Sequence, residues 1–203
     1  MSEREESPSW SRFYDAARDE PWETLVLAAG LVERAPRAPG QALLAVDLGC
    51  GAGRDTAELL RRGWYVIAID AEPEAIRRLR ARDLPRERLR TEVARFEQAS
   101  WPENDLVNAS ASLPFCHPAR FTALWRQITE SLHPGGCFSG HFFGERDEWA
   151  EEPGMTFQST SEVRRLLEGL DVHRFDEVER DGETVTGRPK HWHLFHVVAQ
   201  KPA

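Results

Sequence analysis

Apolar residues in this 203-residue chain fall into short runs separated by charged stretches. Leu43-Leu44-Ala45-Val46 is an uninterrupted apolar run ending on a β-branched side chain, the pattern of a strand buried on both faces. Ala57, Leu59 and Leu60 then give a helix over 55–62, stopped by Gly63. Tyr65-Val66-Ile67-Ala68-Ile69 repeats the strand pattern. A charged segment over 71–84 follows, with Ile76 and Leu79 as its apolar stripe and Pro73 near its start, and reads as a second helix. Residues 89–94 form a weak third strand and 105–109 a compact fourth. A helix over 121–132 turns Leu124, Trp125 and Ile128 to the sheet, and Pro134-Gly135-Gly136 breaks the chain before a fifth strand over 137–143. Beyond Glu145 the pattern gives a helix over 161–170, capped by Ser159 with Glu162 three residues on. Strands over 172–179 and 192–200 come last, with Asp181-Gly182 as the turn signal between them. Strands alternating with helices make this an α/β chain with a largely parallel sheet.

The chemistry lies where the first strand ends. Val46-Asp47-Leu48-Gly49-Cys50-Gly51-Ala52-Gly53 closes a buried strand with an acid and three alternating glycines. Such a turn is tight and carries no Cβ to keep a ligand from the backbone. Asp70 closes the second strand, 17 residues after Gly53, where a carboxylate can take two hydrogen bonds from a ribose diol. That spacing alone also suits a nicotinamide-dinucleotide enzyme. The glycines separate the two readings: a dinucleotide fingerprint is Gly-x-Gly-x-x-Gly, whereas here the third glycine comes one residue early and is followed by Arg54. Asp47 would also repel a pyrophosphate, so a cationic or zwitterionic ligand is the better electrostatic match.

Composition narrows the class further. A net charge of -8 argues against a nonspecific nucleic-acid or anionic-membrane surface. No apolar span of membrane length occurs, and Met1-Ser2-Glu3-Arg4-Glu5-Glu6 lacks the apolar core of a secretion signal. Cys50, Cys116 and Cys137 are odd in number and widely spaced, as expected in a reducing, cytoplasmic setting.

On these residues the chain resembles the class I S-adenosylmethionine-dependent methyltransferases, whose first motif, acidic-x-Gly-x-Gly-x-Gly, is matched in full by Asp47, Gly49, Gly51 and Gly53. The likeness is good over about residues 40–145, specific for the cofactor class and weak for the substrate. In size and layout the chain is also similar to small tellurite-resistance-type methyltransferases. The resemblance implies one domain over 1–203, with a Rossmann-like seven-stranded sheet flanked by helices and its last strand antiparallel. Within it, 1–40 would be an N-terminal helical lid or cover, 41–145 the cofactor-binding core, and 146–203 the C-terminal helix and antiparallel strand pair.

By the same resemblance the cofactor is S-adenosyl-L-methionine, held by Asp47, Gly49, Cys50, Gly51, Gly53, Asp70, Ala71, Phe96 and Asn108. The loop would lie beneath the methionine part, Asp70 on the ribose hydroxyls, and Asp47 in support of the loop and the amino end. Phe96 stands near the place of an adenine-contacting aspartate in many members, with Glu92 as an alternative carboxylate. It packs on the adenine, offers its backbone amide, or is an ordinary core aromatic.

By the same resemblance, Asn108, Ser110 and Tyr14 are the candidates on the reacting side. The small residues after the fourth strand leave room for an acceptor, which Asn108 and Ser110 can orient. Tyr14 and Trp22 offer aromatic faces to a sulfonium or to the acceptor. Adjacent Cys116 and His117 do not by their sequence proximity make a thiol nucleophile. His191 and His193 share one strand face, short of a metal set without further ligands, so no metal is expected. The connection over 142–157, with Trp149, Pro153 and Gly154, is either an acceptor-side lid or a surface loop. The expected reaction is direct in-line methyl transfer to a small-molecule acceptor by a monomer or homodimer, without nucleic acid or membrane. A non-catalytic S-adenosylmethionine-binding regulator and a nicotinamide-dependent oxidoreductase are the alternatives.

Overall fold

The computed structural model describes residues 10–16, 19–36, 38 and 40–203. Seven strands make one sheet in the order β3-β2-β1-β4-β5-β7-β6. They are β1 Leu44–Leu48, β2 Tyr65–Asp70, β3 Leu89–Val93, β4 Asn104–Ala109, β5 Leu132–Phe143, β6 Asp171–Glu183 and β7 Pro189–Gln200. The first five run parallel, and β7 lies antiparallel between β5 and β6. The fold class expected from the sequence is therefore the one observed.

Helices cover both faces because the strands are apolar on both. On one face α5 (Pro118–Ser131) and α6 (Thr160–Leu166) pack Phe121, Leu124, Trp125, Ile128 and Val163 against Val46, Ile67, Val107, Phe138 and Phe195. Trp125 meets Phe138 edge-on at 4.9 Å. Fully burying a ring such as Phe138 contributes roughly 2–3 kcal/mol. On the other face α2 (Glu23–Arg34), α3 (Arg54–Arg61) and α4 (Pro73–Ala81) pack Leu25, Ala28, Leu59, Ile76 and Leu79 against Ala45, Val66, Leu106, Cys137 and Val198. Thus α2, part of the segment expected as a cover, lies against the sheet. The short α1 (Trp10–Ala16) sits over the glycine turn; the rest of 1–9, like the N-terminal signal reading, lies outside the described residues.

Three sequence expectations are corrected. Pro134-Gly135-Gly136 does not end a loop before β5: β5 starts at Leu132, and these residues form a bulge against β4. The bulge is held because Gly135 N donates to Lys201 O and Lys201 N to Gly136 O. Asp181 and Gly182 do not turn the chain; both lie in β6, paired with His191 and Lys190. The turn comes at 184–188, closed by Thr184 N to Arg188 O at 2.7 Å. The helices expected over 71–84 and 161–170 are shorter, ending at Ala81 and Leu166. The expected capping box at Ser159 and Glu162 is present.

Candidate functional site

Strand alternation lines up a polar row on the α2–α3 face, at the carboxyl ends of the central strands. Asp47 pairs in register with Asn108, and Asn108 with Ser139. His141 pairs with His196 one step farther along β5. All but His196 are almost wholly buried.

Asn108 is the hub of this row. Its amide nitrogen donates to Asp47 Oδ1 at 2.9 Å and to Asp55 Oδ2 at 3.0 Å. Its Oδ1 accepts from Ser139 Oγ at 2.8 Å and Ser110 Oγ at 3.1 Å. Four bonds saturate a carboxamide, so Asn108 holds the strand ends together and has no hydrogen-bonding position left for an acceptor molecule. Thr56 Oγ1 donates to Asp47 Oδ2 at 2.6 Å. Burial, then the Asp55 charge, pushes the Asp47 carboxyl up to about 7, against the pull of Thr56 and Asn108. Asp55, at the start of α3, also accepts from Trp22 N at 3.1 Å and Arg54 Nε at 3.3 Å.

The glycine turn follows directly. Gly49, Gly51 and Gly53 all have positive φ, at 69°, 54° and 85°. Gly49 N and Cys50 N both donate to Ile69 O, tying the turn to the end of β2. Asp70 completes the tie: its two oxygens accept from Gly51 N at 2.8 Å and Glu72 N at 2.9 Å. Burial raises the Asp70 carboxyl, partly offset by these amides. A Cβ at Gly53 would collide with Leu79 and one at Gly49 with Ser112, whereas at Gly51 it would only touch the Tyr14 ring at 3.5 Å. Among the described residues, Gly51 is thus the glycine of the turn beside which only a side chain of α1 would meet a Cβ. Tyr14 stacks on Trp10 at 6.4 Å, and burial with the Asp70 and Glu72 charges raises its hydroxyl above the ordinary range.

The remaining sequence candidates are placed as follows. Ala71 is exposed beside Asp70, and Cys50 is buried with its thiol raised by burial. Phe96 packs against the α5-side core near Gly49. Cys116 is buried, its thiol pushed up to about 11, and His117 Nδ1 caps α5 by accepting from Ala119 N, so no thiol nucleophile forms. His191 pairs with Asp181 and Glu179, and His193 with Glu177, on the strand pair β6–β7. Among the described residues, no group of three His, Cys, Asp or Glu side chains is set to hold a metal. The connection expected as a lid or a surface loop is tied down: Lys190 pairs with Asp147 in full burial among Phe143, Trp149 and Trp192, and Thr156 Oγ1 donates to Cys116 O. No helix among the described residues is long and apolar enough to cross a membrane.

Sequence reading missed Asp55, Thr56, Ser139 and His141. For Ser139 and His141 a signal existed, two polar residues in alternation within the apolar Cys137-Phe138-Ser139-Gly140-His141-Phe142-Phe143 run.

Comparisons agree with the geometry. Residues 45–136 match the family model of the methyltransferase domain. An uncharacterized methyltransferase of Synechocystis is 33% identical over 101 residues, 50% of this chain and 46% of that protein. Trans-aconitate 2-methyltransferase of Deinococcus radiodurans is 33% identical over 102 residues, 46% of this chain and 35% of the relative. The matches thus span less than half the length of these curated relatives. The structure of TehB from Haemophilus influenzae superposes with a TM-score of 0.71 at 17% identity, covering 87% of this chain and 61% of that one. The sheet order with an antiparallel β7 also differs from the 3-2-1-4-5-6 order of dinucleotide-binding folds.

Proposed function

We propose that this chain, whose fold is that of the class I S-adenosylmethionine-dependent methyltransferase superfamily, is an enzyme that transfers a methyl group to a small-molecule acceptor. The observation that carries the reading is the turn after β1: three left-handed glycines bound to the end of β2, with Asp70 clamping Gly51 N and Asp47 buried beneath. These residues fit the cofactor. At Gly51, among the described residues, only the Tyr14 ring stands within 4 Å of the place a Cβ would take, so the backbone there carries no side chain of its own against a ligand. On this reading Asp70 would take the ribose hydroxyls, and Asp47, when ionised, would offer negative charge to the ammonium end.

S-adenosylmethionine, when bound, supplies a methyl group on a sulfonium that is open to in-line displacement by an acceptor atom. The leaving group needs no further activation, so the chain's task is to align the partners and exclude water. The Asn108 network fixes the ends of β1 and β4 against α3, and the Trp10–Tyr14 pair closes over the turn.

Calorimetric titration with S-adenosylhomocysteine, in competition with reduced nicotinamide dinucleotide, tests the cofactor class. Incubation with methyl-labelled cofactor and a metabolite extract then tests transfer. Preference for the nicotinamide cofactor, or cofactor binding with no labelled product, would overturn the reading.

A further inference from the structure

We propose that His141 Nε2–H and the Trp22 indole N–H, beside the Arg54 charge, anchor a carboxylate of the small-molecule acceptor. The proposal rests on the methyl-transfer reading and names the substrate class of that same site.

His141 is 1% exposed at the carboxyl end of β5. Its Nδ1 accepts from Ala111 N at 3.0 Å, in the turn that follows β4. An accepting Nδ1 bears no proton, so the neutral ring carries its proton on Nε2. That Nε2 is buried with no hydrogen-bond partner among the described residues. Holding the tautomer has a structural cost, since Ala111 sits at φ 54°, a conformation that costs a non-glycine residue roughly 1–2 kcal/mol.

A second buried donor stands beside it. The Trp22 and His141 rings lie 4.4 Å apart, and the indole Nε1 also has no partner among the described residues. Trp22 is held in place by its own backbone N, which donates to Asp55 Oδ1. An unmet buried donor costs about 1–3 kcal/mol, so two side by side are an arrangement that a ligand repays.

The chemistry of that ligand follows from the donors. Both groups only donate, and so call for an oxygen that only accepts. The neighbouring charge has the matching sign: the Arg54 guanidinium lies 5.0 Å from the Trp22 ring. Burial first, then His196, Arg54 and Arg174, disfavour a charged His141. Asp55, the carboxylate that holds Trp22 N, is also engaged by Arg54 and Asn108. His196, 4.6 Å from His141, is itself kept neutral by burial and by Arg174, against Asp176 and Glu23. Because Nε2 already bears a proton, His141 binds an acceptor's oxyanion and does not act as a base.

The test titrates the full chain, saturated with S-adenosylhomocysteine, with malonate, citrate and malonamide. A carboxylate is expected to bind saturably and malonamide not. Trp22→Phe removes one donor but keeps a ring, and His141→Asn keeps an oxygen for Ala111 N but is too short to place an N–H at the Nε2 position. Each should weaken carboxylate binding at least tenfold and leave S-adenosylhomocysteine affinity within twofold, and His141→Gln should recover part of the loss. In the wild-type chain, a carboxylate should move downfield the indole resonance that Trp22→Phe lacks, a readout independent of variant folding. Absence of saturable carboxylate binding, equal binding of malonamide, or unchanged affinity in both variants would overturn the anchor. If the wild-type chain does not bind S-adenosylhomocysteine, the methyl-transfer reading fails by itself. The same titrations on the cofactor-free chain then decide the anchor by the same criteria.

Discussion

Asp47 and Asn108 are register partners on neighbouring strands, and their side chains are joined by a 2.9 Å hydrogen bond inside the protein. The same amide nitrogen serves Asp55, so one carboxamide keeps two buried carboxylates apart. Asn108→Ala is expected to cost about 2–4 kcal/mol, because it leaves acceptors unmet on both acids and on neither side a replacement donor. Urea unfolding at pH 7 measures this, and a loss under 1 kcal/mol would show that the row is not a structural hub.

Stability should also fall as pH rises from about 4 to about 7. The native Asp47 carboxyl holds its proton up to about 7, while in the unfolded chain it releases it near ~4. Protons bound more tightly in the native state favour folding below that window and cease to do so above it. Asp47→Asn should flatten the profile in unfolding experiments. The ionised form is the one that attracts a cofactor's ammonium group, so S-adenosylhomocysteine affinity should rise through the same interval in the wild type alone.

The three glycines of the turn should respond differently to alanine. Gly53→Ala and Gly49→Ala drive a Cβ into Leu79 and Ser112 and should destabilise by about 2–3 kcal/mol. Gly51→Ala meets only the Tyr14 ring and carries a backbone strain of about 1–2 kcal/mol. It should therefore stay folded while losing S-adenosylhomocysteine affinity. Thermal melts paired with calorimetry check the order, and a folded Gly51→Ala with full affinity would place the ligand elsewhere.

Asp70→Ala removes acceptors for Gly51 N and Glu72 N along with any ribose contact. The affinity for S-adenosylhomocysteine should fall more than tenfold, and the amide of Gly51 should exchange faster in the free protein. Hydrogen exchange separates the two effects: loss of affinity without faster exchange would assign the whole role to the ligand.

The parts legible from sequence were those written in contiguous residues. β1 and β2 are largely apolar runs, and Asp47, Gly49, Gly51 and Gly53 form one local motif. The β6–β7 turn was misplaced because Asp181-Gly182 has hairpin chemistry, yet pairing continues past it to Glu183 and Pro189. Gly182 is there accommodated as a strand residue beside Trp192. The polar row was hidden for a different reason. Its members come from β1, β4, β5 and α3, and only the register of three strands makes Asp47, Asn108 and Ser139 neighbours. The His141 tautomer depends in turn on the backbone N–H of Ala111, a donor that no residue type announces.

The placement of β7 between β5 and β6 has a consequence for synthesis. β6 pairs with β7 and with no other strand, yet it leaves the ribosome first. Until the later strand threads into the gap, β5 presents an open edge that includes Phe142 and Phe143, and β6 has nothing to join. A chain that had formed the five parallel strands without β7 would expose β5 as an unpaired edge, the kind of border at which strands of other chains add on.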